Sequence, residues 1–122
     1  METSGKPLNG GQILANALVR QGVDLAFGVP GESFLPLLNG LVDHPQFQFI
    51  TCRQEGGAAY MAEAYGKLTG KPGVIMVTRG PGASNAMVGV HTAYQDSTPM
   101  VLLVGQVGTE DRKSTRLNSS HI

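Results

Sequence analysis

Glu55 stands in Arg53-Gln54-Glu55-Gly56-Gly57-Ala58-Ala59, an acid followed by two glycines and two alanines. So little side-chain bulk behind a carboxylate leaves room for a flat ligand, and a carboxyl so placed could exchange protons with it. The same residue also suits a plainer duty, complementing the dipole of a helix that begins there. A second segment, Thr78-Arg79-Gly80-Pro81-Gly82-Ala83-Ser84-Asn85, is a strand-to-helix turn able to aim amide groups at an anion or a heteroaromatic ring. Ser84 or Asn85 could instead cap the helix. The turn lacks the Gly-Lys-Ser/Thr of a P-loop, and Asn85 occupies the place of the third glycine in a dinucleotide fingerprint. In Gly28-Val29-Pro30-Gly31-Glu32-Ser33 the proline and glycines fix a turn before a helix that Ser33 could cap. Tyr94-Gln95-Asp96-Ser97-Thr98-Pro99 closes a helix, with Gln95 either capping or reaching toward the site. His44, His91 and Cys52 have no companions at metal-ligand spacing and receive no catalytic role.

These segments need elements to hold them. Apolar residues recur at helical spacing in Gly10–Gln21, with Gly22 as the stop, and again from Ser33 through Val42, Glu55 to Leu68 and Gly82 to Tyr94. Between them lie the short β-rich runs Val23–Phe27, Phe47–Cys52, Val74–Val77 and Met100–Val104. Strands apolar at nearly every position, alternating with helices, predict an α/β fold: a doubly wound parallel sheet buried on both faces. The three polar or glycine-rich loops 28–33, 53–57 and 78–85 then gather at the carboxyl edge of the sheet, where such folds bind ligands. Residues 1–9 are read as a flexible N-terminus and 10–110 as one domain.

The 122 residues carry nine Lys plus Arg against nine Asp plus Glu, with a pI near 6.8, so no nucleic-acid or anionic-membrane partner is indicated. One cysteine cannot build a disulfide framework, and no signal segment or membrane span is visible, so a cytoplasmic setting is expected. The 17 glycines, about twice the usual share of roughly 7%, suggest many tight turns. Residues 111–122 change character, and Asp-Arg-Lys-Ser-Thr-Arg-Leu-Asn-Ser-Ser-His resembles the in-frame translation of a sequencing-library adapter. Without that tail the chain keeps six basic and eight acidic residues and is mildly acidic.

Taken in order, Phe27-Gly28-Val29-Pro30-Gly31, Arg53 to Ala59, Ala62-Glu63-Ala64-Tyr65, Thr78 to Asn85 and Asp96-Ser97-Thr98-Pro99 resemble the acetolactate synthase-like family of thiamine-diphosphate enzymes. The likeness runs from about Gly10 to Val107 and covers most of that family's N-terminal pyrimidine-binding domain. It implies that Glu55 is similar to the cofactor-activating glutamate, which hydrogen-bonds the pyrimidine ring nitrogen and favours the imino tautomer that deprotonates the thiazolium carbon. By the same resemblance Thr78, Gly80, Pro81, Gly82 and Asn85 line the pyrimidine side, while Val29, Pro30, Gly31 and Gln95 face the substrate. It further implies a 2-oxo acid substrate such as pyruvate, magnesium and diphosphate held by another domain, an optional FAD, and a homodimer or dimer of dimers with its site between subunits. The sequence departs from the common family pattern at Gln54, where a His-Glu pair is frequent, at Glu32-Ser33, where small residues are usual, and at Gln95. No Gly-Asp-Gly to Asn-Asn motif is present, so the chain by itself is expected to be inactive. A non-catalytic binding or assembly domain of the same fold is the alternative, and a nucleotide-binding module a more distant one.

Overall fold

The computed structural model describes residues 5–106. Helix α1 (Gly10–Arg20) leads to strand β1 (Leu25–Gly28), a single 3-10 turn (Glu32–Phe34), α2 (Leu35–Leu41), β2 (Gln48–Thr51), α3 (Glu55–Thr69), β3 (Gly73–Val77), α4 (Pro81–Asp96) and β4 (Met100–Val104). All pairings are parallel and the strand order is β2-β1-β3-β4. The expected doubly wound sheet is therefore present.

Two apolar layers follow from the alternation of side chains along β1 and β3. Ala26, Val74 and Met76 pack against Ala15 and Leu18 of α1 and Leu37 and Leu41 of α2. On the opposite face Phe27, Ile75 and Val77 meet Ala58, Ala59 and Ala62 of α3 and Ala86 of α4. Every residue of β3 is buried, and at about 1.5–3 kcal/mol per large apolar side chain its central position anchors the sheet. Burial on both faces does not extend to the outer strands. Met100–Val104 is as apolar as β3, yet its second edge has no strand partner among the described residues, and Val101 and Val104 are exposed.

Helix ends obey local rules. Asn9, read from the sequence as part of the N-terminal segment, closes a capping box: its Oδ1 accepts from the Gln12 amide at 2.8 Å, and Gln12 Oε1 accepts from the Asn9 amide at 2.9 Å. Gly22, at φ +86°, stops α1, with the Val23 amide donating to the Leu18 carbonyl. Most glycines do not serve turns. Gly11 and Gly40 let α1 and α2 touch backbone to backbone, and a Cβ on Gly89 would stand 2.3 Å from Ala59 Cβ of α3. Tight helix contacts, more than tight turns, explain the glycine content.

Candidate functional site

The two chemically suggestive segments meet at the carboxyl edge of the sheet. β2 ends at Thr51 and the chain enters α3 through Gln54, whose side-chain oxygen accepts from the Gly56 and Gly57 amides at 2.5 and 3.2 Å. Gln54 is thus the helix cap, a duty the sequence analysis did not assign to it. Because Gln54 satisfies the exposed amides, Glu55 in the first helical turn is released for another use. Its Oε1 accepts from Asn85 Nδ2 at 3.1 Å, across 30 residues of sequence. That bond carries Asn85 away from the capping role.

α4 begins without any side-chain cap. Gly80 precedes it at φ +62°, ψ −117°, a conformation open to glycine and strained for residues with a Cβ. Pro81 then occupies the first turn, where its missing N–H costs nothing. Gly82 is buried, and a Cβ there would lie 2.4 Å from Thr78 Oγ1 and 3.4 Å from Glu55 Oε2. Gly31, from the loop after β1, is equally close-fitted: its Cβ would stand 2.0 Å from Thr78 Cγ2. Glu55, Thr78, Gly80, Pro81, Gly82 and Asn85 therefore form one group, and Gly31 with Val29 and Pro30 adjoins it through Thr78. Gly82 is packed tightly against Thr78 beside Glu55 Oε2, and Gly31 against Thr78, so a side chain at either position would displace Thr78.

The carboxylate is half-buried and Asn85 is exposed in this chain. The outer faces of α3 and α4 beside them expose Tyr60, Met61, Met87 and Val88.

Gln95 does not join this group. It is exposed near the far end of α4, about 21 Å along the helix axis from Pro81 at 1.5 Å per residue. Its neighbours have a structural duty instead. Thr98 Oγ1 donates to Glu63 Oε2 at 3.0 Å, and Lys67 Nζ bridges Glu63 Oε2 at 3.0 Å and Asp96 Oδ2 at 2.5 Å. Glu63 is buried, so these partners keep its charge compensated where α3 meets the turn into β4. Asp96 and, after it, Glu63 hold the Lys67 ammonium above its ordinary pKa of 10.5.

Ser33 does not cap either. The 3-10 turn starts at Gly31 without a side-chain cap, and Ser33 Oγ is buried with no hydrogen-bond partner. Gly105, just past β4, packs on Ser33, so the end of β4 also reaches this edge. Its amide donates to the Val77 carbonyl at 2.9 Å. No spacing signal in the sequence marks that contact.

A family model described as thiamine pyrophosphate enzyme, N-terminal TPP binding domain, matches residues 8–121. The chain is 44% identical over 109 residues to the mitochondrial acetolactate synthase catalytic subunit of Saccharomyces cerevisiae, covering 89% of this chain and 16% of that protein. It is 45% identical over 103 residues to the acetolactate synthase large subunit of Lactococcus lactis, covering 84% of this chain and 18% of the relative, and equally so to the acetolactate synthase of Bacillus subtilis. The chain spans about a sixth of the length of the curated relatives it matches. With the pattern of motifs, the parallel sheet and this match over nearly the whole chain in agreement, the chain belongs to the family of thiamine pyrophosphate enzyme N-terminal TPP-binding domains.

Proposed function

We propose that this chain holds the aminopyrimidine end of thiamine diphosphate in a 2-oxo acid carboligase or decarboxylase that condenses pyruvate, as the names of its relatives suggest. The observation that carries the reading is the Glu55–Asn85 pair, with Glu55 Oε2 left on the side of Gly82, which has no side chain. When bound, the cofactor supplies a thiazolium carbon that attacks the substrate carbonyl and stabilises the resulting negative charge.

The chain's own part is to bind, orient and move a proton. Asn85 fixes Oε1, which leaves Oε2 on the Gly82 side to meet a ring nitrogen. A carboxyl shared between that nitrogen and the fixed amide can pass a proton without reorganising, because its geometry is already set. Thr78, Gly80 and Pro81 shape the wall along which the ring lies, and Val29, Pro30 and Gly31 bound the substrate side. Gln95, distant from this group, is left with a surface position on α4.

Half-burial of Glu55 also supports assembly. A working proton shuttle needs water excluded, and the apolar Tyr60, Met61, Met87 and Val88 beside it suit a covering subunit of a homodimer or dimer of dimers. Magnesium and diphosphate belong to a separate domain in this reading, and FAD binding would lie outside this chain. Among the described residues no helix is long and apolar enough to cross a membrane. A cytoplasmic setting is proposed, with Cys52 kept reduced.

The test is product analysis with the full-length enzyme. Acetolactate should form from pyruvate only when thiamine diphosphate and magnesium are supplied. Absence of both carboligation and decarboxylation would favour the alternative, a binding or assembly domain of the same fold.

A further inference from the structure

Gln54 directly precedes the proton-exchanging carboxyl, and its significance rests on the function proposed above. It serves three consecutive amides of α3. Its backbone carbonyl accepts from Ala58 at 3.1 Å, and its side-chain Oε1 accepts from Gly56 at 2.5 Å and from Gly57 at 3.2 Å. The residues favoured at a helix cap are the shorter Ser, Thr, Asp and Asn, so the long glutamine needs room to fold back. Gly56 provides it. A Cβ on Gly56 would stand 2.7 Å from Gln54 Oε1, 3.2 Å from Val88 Cγ1 and 3.3 Å from the Asn85 carbonyl oxygen. The capped turn of α3 is therefore also where α4 rests, at the very residue that fixes Glu55.

An uncapped helix start presents amide donors that must find another acceptor. Glu55 is the one acid in the first turn of α3, and its negative charge is drawn to the positive end of the helix. A carboxyl turned onto those amides leaves Asn85 and the Gly82 side together. A neutral acceptor at position 54 removes that competition, whereas a second carboxylate there would repel Glu55.

We propose that Gln54 is a positioning residue for the proton exchange: by giving the Gly56 and Gly57 amides a neutral acceptor, it keeps Glu55 paired with Asn85 and turned to the cofactor. Position 54 then requires an acceptor that does not depend on pH. Histidine supplies one only while neutral, because both ring nitrogens donate once it is protonated, near its ordinary pKa of about 6.5. The charged and titratable groups around the cap are Arg53 and Glu55 in the same segment, Arg79 ahead of α4, and His91 a turn beyond Val88. All are shared by parent and variant, so a pH limb that appears on substitution belongs to residue 54.

The test uses the full-length enzyme. Gln54 is exposed, so its replacement does not threaten folding. Asn9→Ala is the control, because it removes a cap from α1, which carries no residue of the site. In crystals without cofactor, Gln54→Ala should move Glu55 Oε1 from 3.1 Å to beyond about 3.5 Å from Asn85 Nδ2. Loaded with thiamine diphosphate and magnesium, this variant should retain the cofactor and exchange the thiazolium proton about 10- to 100-fold more slowly, the scale of a misplaced group. Gln54→Ser, which keeps a neutral acceptor, should recover most of that rate. Gln54→His should match Gln54→Ser at about pH 8 and lose rate below about pH 6.5, a fall absent from the parent over that range. Asn9→Ala should lower the melting temperature as Gln54→Ala does and leave exchange at the parent rate. A Glu55–Asn85 bond intact in Gln54→Ala, or equal exchange in Gln54→Ala and Asn9→Ala, would overturn the proposal. A parent enzyme without thiamine-dependent exchange, in which Gln54→Ala still separates Glu55 from Asn85, would instead overturn the carboligase reading and leave Gln54 in its positioning role.

Discussion

Adding one methyl group at Gly89 sets two effects of opposite sign against each other. Alanine is the better helix former by about 1 kcal/mol, so an unobstructed site would gain stability. Gly89 is obstructed: its Cβ would lie 2.3 Å from Ala59 Cβ, 2.7 Å from the Ala59 carbonyl carbon and 3.0 Å from the Tyr60 amide nitrogen. Non-bonded carbons settle at about 3.5–4.0 Å, so α3 and α4 must part by more than about 1 Å. Overpacking of this kind costs about 1–3 kcal/mol, and the obstacle is backbone, which cannot swing aside. The steric effect should win.

The same displacement reaches the site, because Asn85 sits one turn before Gly89 on α4. Its 3.1 Å bond to Glu55 would open past hydrogen-bond range. Gly57, on α3, provides the internal control, since a Cβ there meets nothing within 4 Å. Thermal unfolding of the dilute chain, followed by circular dichroism, should show Gly89→Ala melting lower, by up to about 15 °C for a net loss of up to about 2 kcal/mol. Gly57→Ala should melt at or a few degrees above the parent. A Gly89→Ala midpoint equal to or above the parent, or both variants moving together, would refute the close-packed α3–α4 contact.

Other consequences follow from the scaffold. Lys67 is held above its ordinary pKa by Asp96 and Glu63, so its contribution to stability is complete below pH 10.5 and is lost as pH rises through the elevated folded value. Urea midpoints should therefore fall on the alkaline side, and Lys67→Met should flatten that fall; an unaltered alkaline slope would contradict the bridge. The apolar edge of β4, which has no strand partner among the described residues, should make the chain self-associate, and Val101→Lys should reduce this in light scattering, since charge on an edge strand opposes pairing. A monodisperse parent chain at high concentration would count against it. Residues 111–122 lie outside the described residues, and the adapter reading of them is tested by sequencing the source DNA through the codons of Glu110 and Asp111. Departure from the adapter string would support that reading. A genuine coding sequence through Ile122 would reject it and agree with the family match continuing to residue 121.

Strands are legible because apolar runs bounded by glycine or proline leave few alternatives: Met100–Val104 is the strand seen, and Val74–Val77 gains only Gly73. The continuous helix expected from Ser33 through Val42 is instead a 3-10 turn followed by α2, and no side chain caps either start. Periodicity alone could not show the break, because Phe34, Leu37 and Leu41 keep one buried face through it. Of the site, Glu55 is legible through its small followers, and the Gly80-Pro81-Gly82 turn through its composition. What cannot be read is partnership. Asn85 reaches Glu55, and Thr98 reaches Glu63, only because α3 and α4 lie side by side on one face of the sheet. Gln95 stands apart from the Glu55 group in this chain, and its neighbours Asp96 and Thr98 brace Lys67 and Glu63.

The central claim is that the Glu55 carboxyl, fixed by Asn85, drives proton movement in the bound cofactor. The most direct measurement is deuterium exchange of the thiazolium C–H in full-length enzyme loaded with thiamine diphosphate and magnesium, comparing Glu55→Gln with the parent by quenched-flow NMR. The exchange rate should fall by about 100- to 10,000-fold while the cofactor remains bound, the range expected for loss of a positioned acid–base group. Exchange at the parent rate in the Glu55→Gln enzyme, with cofactor occupancy verified, would contradict the account.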